Sequence, residues 1–132
     1  SGQKLLPYRL GSHDLQFFEG EWAYHDSYLG ENDFIGEEAV YYQHKIAWAM
    51  NYFGRILDRD RITSAKAGEI IKESLTLMYA QGRFLGGFEY QSGEYTYTDA
   101  NQGDVTFFTG KEWISRGGVT VYELVYHGGL VR

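Results

Sequence analysis

Two acidic segments flanking one tight turn hold the residues of this chain best suited to chemistry. Residues 30–33, Gly-Glu-Asn-Asp, form a strong turn signal between two stretches of strand-forming residues. If Leu29 faces Phe34 across that turn, Asp26 lies opposite Glu37; a register shifted by one brings Asp26 opposite Glu38 instead. Like charges opposed on a sheet repel, so such a pair needs a compensating cation, a shared proton or open solvent. One carboxyl whose pKa is raised by the other could bind a donor or act as general acid or base. With a further turn at His44-Lys45, Asn51 faces Glu38 and adds an amide. Side chains alternate with a period of two along a strand. Tyr24, Asp26 and Tyr28 therefore share a face, with Trp48 and Tyr52 as further aromatic walls. His127, in Tyr126-His127-Gly128-Gly129, stands where glycines permit close approach of a backbone or ligand. A histidine at that position could carry a proton. The candidate ligand-binding set is thus Tyr24, Asp26, Tyr28, Glu37, Glu38, Trp48, Asn51, Tyr52 and His127. The plainer alternative leaves one carboxylate in water, pairs the other with Arg or Lys, and makes His127 a structural strand end.

Several other chemistries find no support. Cysteine is absent, which removes disulfides, thiolate metal sites and cysteine nucleophiles. No Gly-x-Gly-x-x-Gly opens a helix and no phosphate loop ends in Gly-Lys-Ser/Thr. Gln91-Ser92-Gly93 reads as a turn rather than a nucleophile elbow. The histidines at 13, 25, 44 and 127 have no zinc spacing, so neither metal nor cofactor is expected. Ser12-His13-Asp14 is contiguous and cannot converge as a triad, and Asp58-Arg59-Asp60-Arg61 reads as a solvated loop. With 12 Lys and Arg against 18 Asp and Glu, the formal charge is -6. That balance weighs against contact with nucleic acid or an anionic membrane. No apolar run approaches the ~18 residues of a spanning helix.

The elements that must position these groups follow from composition and pattern. Aromatic residues make up 17% of the 132 residues, and 17 Gly accompany a single Pro, Pro7. Tyr and Phe suit a pleated surface and Gly suits tight turns, which together describe an antiparallel β protein. Strands are expected over 13–18, 22–29, 34–42 and 46–53, then a helix over 63–80 with Ala67, Ile71, Ser74 or Leu75, and Met78 on one face. Gly82 stands where its left-handed stop belongs. Strands resume over 87–91, 94–99, 104–109, 112–115 and 119–127. Turns at Ser92-Gly93 and Gly110-Lys111 would set Tyr90 against Tyr95, Phe88 against Tyr97 and Phe108 against Trp113. The fold class is α+β: an irregular segment over 1–11, then one domain over 12–132. About eight or nine antiparallel strands would form a curved sheet or sandwich-like shell carrying one main helix.

Three groups of residues resemble a known family. They are Ser12-His13-Asp14-Leu15, Tyr24-His25-Asp26-Ser27-Tyr28-Leu29-Gly30 and Phe34-Ile35-Gly36-Glu37-Glu38-Ala39-Val40. Ala47-Trp48-Ala49-Met50-Asn51-Tyr52-Phe53-Gly54 and the closing Tyr126-His127-Gly128-Gly129-Leu130 look like the same family's later blocks. The family is one of small bacterial domains of unknown function, and similar domains follow a helix-turn-helix segment in some putative regulators. Its members carry an extra N-terminal helical segment and a Pro where this chain has Ile46-Ala47. Neither departure touches Asp26, Glu37, Glu38, Asn51 or His127. The resemblance implies a bacterial, cytoplasmic protein with a role near regulation, but no reaction. The leading expectation is therefore a non-catalytic domain that binds or senses a small molecule in an aromatic-walled polar pocket. A small lyase, isomerase or hydrolase using the paired carboxylates and His127 is the alternative, and a protein-interaction module the third. Homodimerisation through an edge strand is also expected of so β-rich a chain.

Overall fold

A computed structural model describes residues 3–5, 7, 9–81 and 86–132. Nine antiparallel strands form a single curved, unclosed sheet. They are β1 (Gln3–Leu5), β2 (His13–Glu19), β3 (Trp22–Gly30), β4 (Asp33–Tyr42) and β5 (Lys45–Ile56), then β6 (Phe88–Ser92), β7 (Tyr95–Asp104), β8 (Phe107–Arg116) and β9 (Val119–Leu130). The spatial order is β1-β2-β3-β4-β5-β9-β8-β7-β6, so two meanders join where β5 meets β9. Among the described residues one helix, α1 (Ser64–Ala80), is inserted between the meanders. Gln3–Leu5, inside the stretch read as irregular, pairs with β2 as a short edge strand.

The helix follows from its own residues. Thr63 holds an extended conformation and its side chain accepts a hydrogen bond from the Lys66 N–H at 3.1 Å, satisfying one of the unpaired amides of the first turn. Ala67, Ile70, Ser74 and Met78 are buried along one stripe, at the three- and four-residue spacing of a helix face. That stripe packs on one face of the sheet, where Ile56, Ile62, Ile70, Ile114 and Tyr122 form the dry core. The expected stop at Gly82 lies outside the described residues. Among the described residues, no helix is long and apolar enough to cross a membrane.

The registers settle one expected alternative and correct others. Gly30, not Leu29, faces Phe34, so of the two carboxyls expected opposite Asp26 the partner is Glu38. Gly30 has a φ of +100° and the turn closes tightly on the Asp33 carbonyl, which a side chain would strike. Between β4 and β5 the turn is Gln43-His44, both with positive φ, as a two-residue hairpin turn requires. A bulge between Val40 and Tyr41 then moves the register by one. Asn51 therefore faces Glu37, not Glu38.

The expected strands over 104–109 and 112–115 merge instead into one, β8, while β7 runs on to Asp104. The chain reverses at Val105-Thr106, where the Asp104 side chain accepts from the Thr106 N–H at 2.9 Å. Gly110 sits in the middle of β8 beneath the Tyr126 ring and makes no turn. Phe108 accordingly faces Gly103 and Gly128, not Trp113. In β6, Tyr90 faces Tyr97 and Phe88 faces Asp99, because the turn falls at Gly93-Glu94.

Candidate functional site

Between the sheet's helix-bearing face and the second half of α1 lies a cavity of about 530 Å³. Four carboxyl groups reach it from four strands: Asp26 (β3), Glu38 (β4), Asp99 (β7) and Glu112 (β8). Trp48, Phe34 and Met50 add apolar wall from the sheet, and Ile71, Leu75 and Met78 close it from the helix. Strand alternation brings these groups together, since all the contributing residues of β3, β4 and β5 have even numbers and so share one face.

Each carboxyl is met by tyrosine. The Tyr52 hydroxyl donates to Asp26 at 2.7 Å, and the Tyr24 hydroxyl donates to Glu38. The Tyr126 hydroxyl donates to Asp99 at 2.6 Å, where the Asn101 amide also donates at 3.2 Å. Glu112 accepts two phenols, from Tyr97 and, at 2.9 Å, from Tyr122. Glycines make this network sterically feasible. Gly36 and Gly110 face Tyr52 and Tyr126 across their ladders, and a Cβ at either position would lie 2.5 Å or less from the phenol oxygen. Tyr52 and Tyr126 also face each other, each lying over the glycine on its outer side. One hydroxyl thus reaches Asp26 and the other Asp99.

Burial dominates the electrostatics. Loss of solvent pushes the Glu112 carboxyl up to about 7, against the lowering effect of its two phenol donors. Asp26, Glu38 and Asp99 are raised by the same cause, each opposed by its tyrosine. For Glu38 the neighbouring Asp26 charge adds to the rise, as an opposed like-charged pair should. The partner phenols Tyr24, Tyr52, Tyr97 and Tyr122 are pushed well above the usual tyrosine range, first by burial and then by the carboxylates. They therefore remain protonated donors.

A second cavity of about 620 Å³ shares Asp26, Phe34 and Tyr52 with the first and opens toward His13, Tyr28 and Ser64 at the start of α1. The His13 and Tyr28 rings stack there at 4.8 Å. Of the residues proposed from sequence, Tyr24, Asp26, Glu38, Trp48 and Tyr52 line the first cavity and Tyr28 lines the second. Glu37 and Asn51 line another cavity, of about 520 Å³, on the opposite face with Arg9, His25 and Ser27. His127 faces Asn51 in the ladder and so belongs to that opposite face too. The structure therefore does not bring the Asp26–Glu38 pair and His127 together. Sequence reasoning missed Asp99, Glu112 and their three phenols. One signal was available, because Tyr24-His25-Asp26 and Tyr97-Thr98-Asp99 repeat the same Tyr-x-Asp spacing.

Among the described residues, no group of three or more His, Asp or Glu side chains is arranged to hold a metal ion. Neither the curated proteins nor the solved structures include a match to this chain. One family match spans most of its length, residues 26–131, and takes in every carboxyl group of the cavity. The chain belongs to the family described as Domain of unknown function (DUF5680).

Proposed function

We propose that this domain binds a small molecule in the tyrosine-lined cavity and acts as a non-catalytic binding or sensing module. The observation that carries the reading is the cavity itself. Its volume of about 530 Å³ falls within the ~300–1,000 Å³ of small-molecule sites. Mostly apolar walls with a few fixed polar groups are the usual composition of such sites. Each carboxyl is already held by at least one phenol, so the site is preformed and binding does not have to order it. The family resemblance in the sequence supports a bacterial, cytoplasmic setting in which occupancy is passed to an attached or associated regulator. The acidic charge weighs against nucleic acid as a partner; the macromolecular contact in this reading is a second copy of the chain pairing along an edge strand.

A thermal-shift screen against metabolites, nucleotides, sugars and amines tests this. A ligand at about 100 times its Kd should add ~2.7 kcal/mol, a shift of several degrees. Leu75→Trp enlarges a half-buried side chain of the helical wall to fill the cavity, and should abolish the shift while circular dichroism stays native. An absence of stabilising compounds, or shifts that persist in Leu75→Trp, would contradict the reading.

One observation favours a second reading, an acid–base enzyme. Glu112 lines the cavity with its carboxyl pushed up to about 7, the range in which a general acid or base works best at neutral pH. Under that reading Glu112→Gln abolishes turnover of a cavity ligand while leaving its binding measurable. Unchanged turnover in that variant would remove Glu112 from the chemistry.

A further inference from the structure

We infer that the cavity's ligand is an organic cation: an ammonium or amidinium group carried on an aromatic or alkyl body. The inference rests on the cavity reading above and names the chemistry of its occupant. Acidic residues alone would say little, but here they end in an aromatic cavity where five of the six lining phenols already donate to carboxyl groups. The hydroxyls of Tyr24, Tyr52, Tyr97, Tyr122 and Tyr126 all donate to carboxyl groups. A phenol has one donor and two acceptor lone pairs. What these tyrosines can still present to a ligand is therefore acceptor oxygen, beside the unfilled lone pairs of four carboxyl groups. A ligand rich in N–H donors matches that lining, whereas a carboxylate or phosphate meets like charge and unfilled acceptors.

The charge count points the same way. Asp26, Glu38, Asp99 and Glu112 line the cavity, and no Lys, Arg or His does so among the described residues. Asp26 and Glu38 face each other directly across β3 and β4. Removing such groups from water without a counter-charge is unfavourable, and a bound cation supplies that charge. The walls suit its body. Trp48 stacks on Phe108 at 5.7 Å and Phe34 on Tyr122 at 6.4 Å, and aromatic faces attract cations.

The test uses the full chain and three probes that share one body: 4-phenylbutylamine, 4-phenylbutanol and 4-phenylbutyrate. Affinities are read by calorimetry at physiological ionic strength, above neutral pH. The amine should bind about tenfold or more tighter than the alcohol, as a charge-assisted hydrogen bond replaces a neutral one. The carboxylate should bind weakest. In an Asp26→Asn, Glu38→Gln double variant, the ratio of amine to alcohol affinity should fall toward one; the ratio stays readable even if both affinities drop. Equal binding of amine and alcohol to the native chain would overturn this proposal and leave the cavity reading standing. So would tightest binding by the carboxylate. Amine binding that survives Leu75→Trp would also overturn it, because the cation would then sit on the acidic surface. If none of the three binds, the cation proposal fails, and the metabolite screen decides the cavity reading separately.

Discussion

Glu112 and Glu123 lie on neighbouring strands, one residue out of register, and point to opposite faces of the same sheet. On the open face, Glu123 meets Lys111 at 3.1 Å and Arg55 at 3.2 Å, and these partners lower its pKa below the usual carboxylate range. On the helix-bearing face, Glu112 is buried and meets only phenols, and its pKa rises to about 7. A phenol satisfies hydrogen bonds without neutralising charge, whereas an ammonium or guanidinium does both. The sheet thus keeps two kinds of carboxylate. One kind is held toward its ionised form by basic partners; the other, met by phenols and buried, is held toward its protonated form.

The sharpest way to break this contrast is pH. An unfolded Glu releases its proton near 4.5 and folded Glu112 near 7, so the folded state binds the extra proton between those values. The stabilisation is full below the unfolded pKa and is lost as pH rises through the folded one. A shift of this size corresponds to about 3 kcal/mol. Asp26, Glu38 and Asp99 act in the same direction. Tyr97 and Asp99 on β7, Tyr122 on β9, Glu38 on β4 and Tyr79 on α1 are the titratable groups coupled to Glu112. Urea denaturation across this range should show stability falling with pH, and Glu112→Gln should remove the largest part of the fall.

A smaller effect should come from the glycines that let phenols reach their carboxyls. Gly110→Ala puts a Cβ 2.2 Å from the Tyr126 ring, displacing the donor to Asp99 at a cost of about 2 kcal/mol. The matched control is Gly68→Ala in α1, where a Cβ meets nothing within 4 Å and should add ~1 kcal/mol. Removing a single phenol is milder still. Tyr122→Phe leaves Glu112 one donor and should cost about 1 kcal/mol while moving the carboxyl pKa further up. The smallest effect belongs to the open face. Glu123→Gln should cost less than about 1 kcal/mol, and the loss should shrink further in high salt.

The sequence made much of this face readable, and the parts that stayed hidden have identifiable causes. Alternation placed Tyr24, Asp26 and Tyr28 together, and the turn at residues 30–33 narrowed the partner of Asp26 to Glu37 or Glu38. The final choice depended on where the chain crosses the turn, and a slip of one residue exchanges the two faces of a strand. That slip separates Glu38, in the cavity, from Glu37, Asn51 and His127 on the other side. Gly110 misled for a different reason. A glycine beside a lysine reads as a turn, but a glycine is equally what a strand needs where a tyrosine ring must cross it. With β7 and β8 broken by that false turn, Asp99 and Glu112 could not be seen as a second pair facing Asp26 and Glu38. The true reversal at Val105-Thr106 carries as local signals the Asp104 side-chain bond and Gly103, whose φ is +94°.

The contrast between the two faces can be read most directly by a carbon-13 NMR titration of the Glu side-chain carboxyls in the native chain. Assignment would come from Glu112→Gln and Glu123→Gln. Glu112 should titrate near 7 and Glu123 below the ordinary glutamate value. Both groups titrating together near 4.5 would contradict the account, because phenol partners and burial would then do nothing that a solvated ion pair does not.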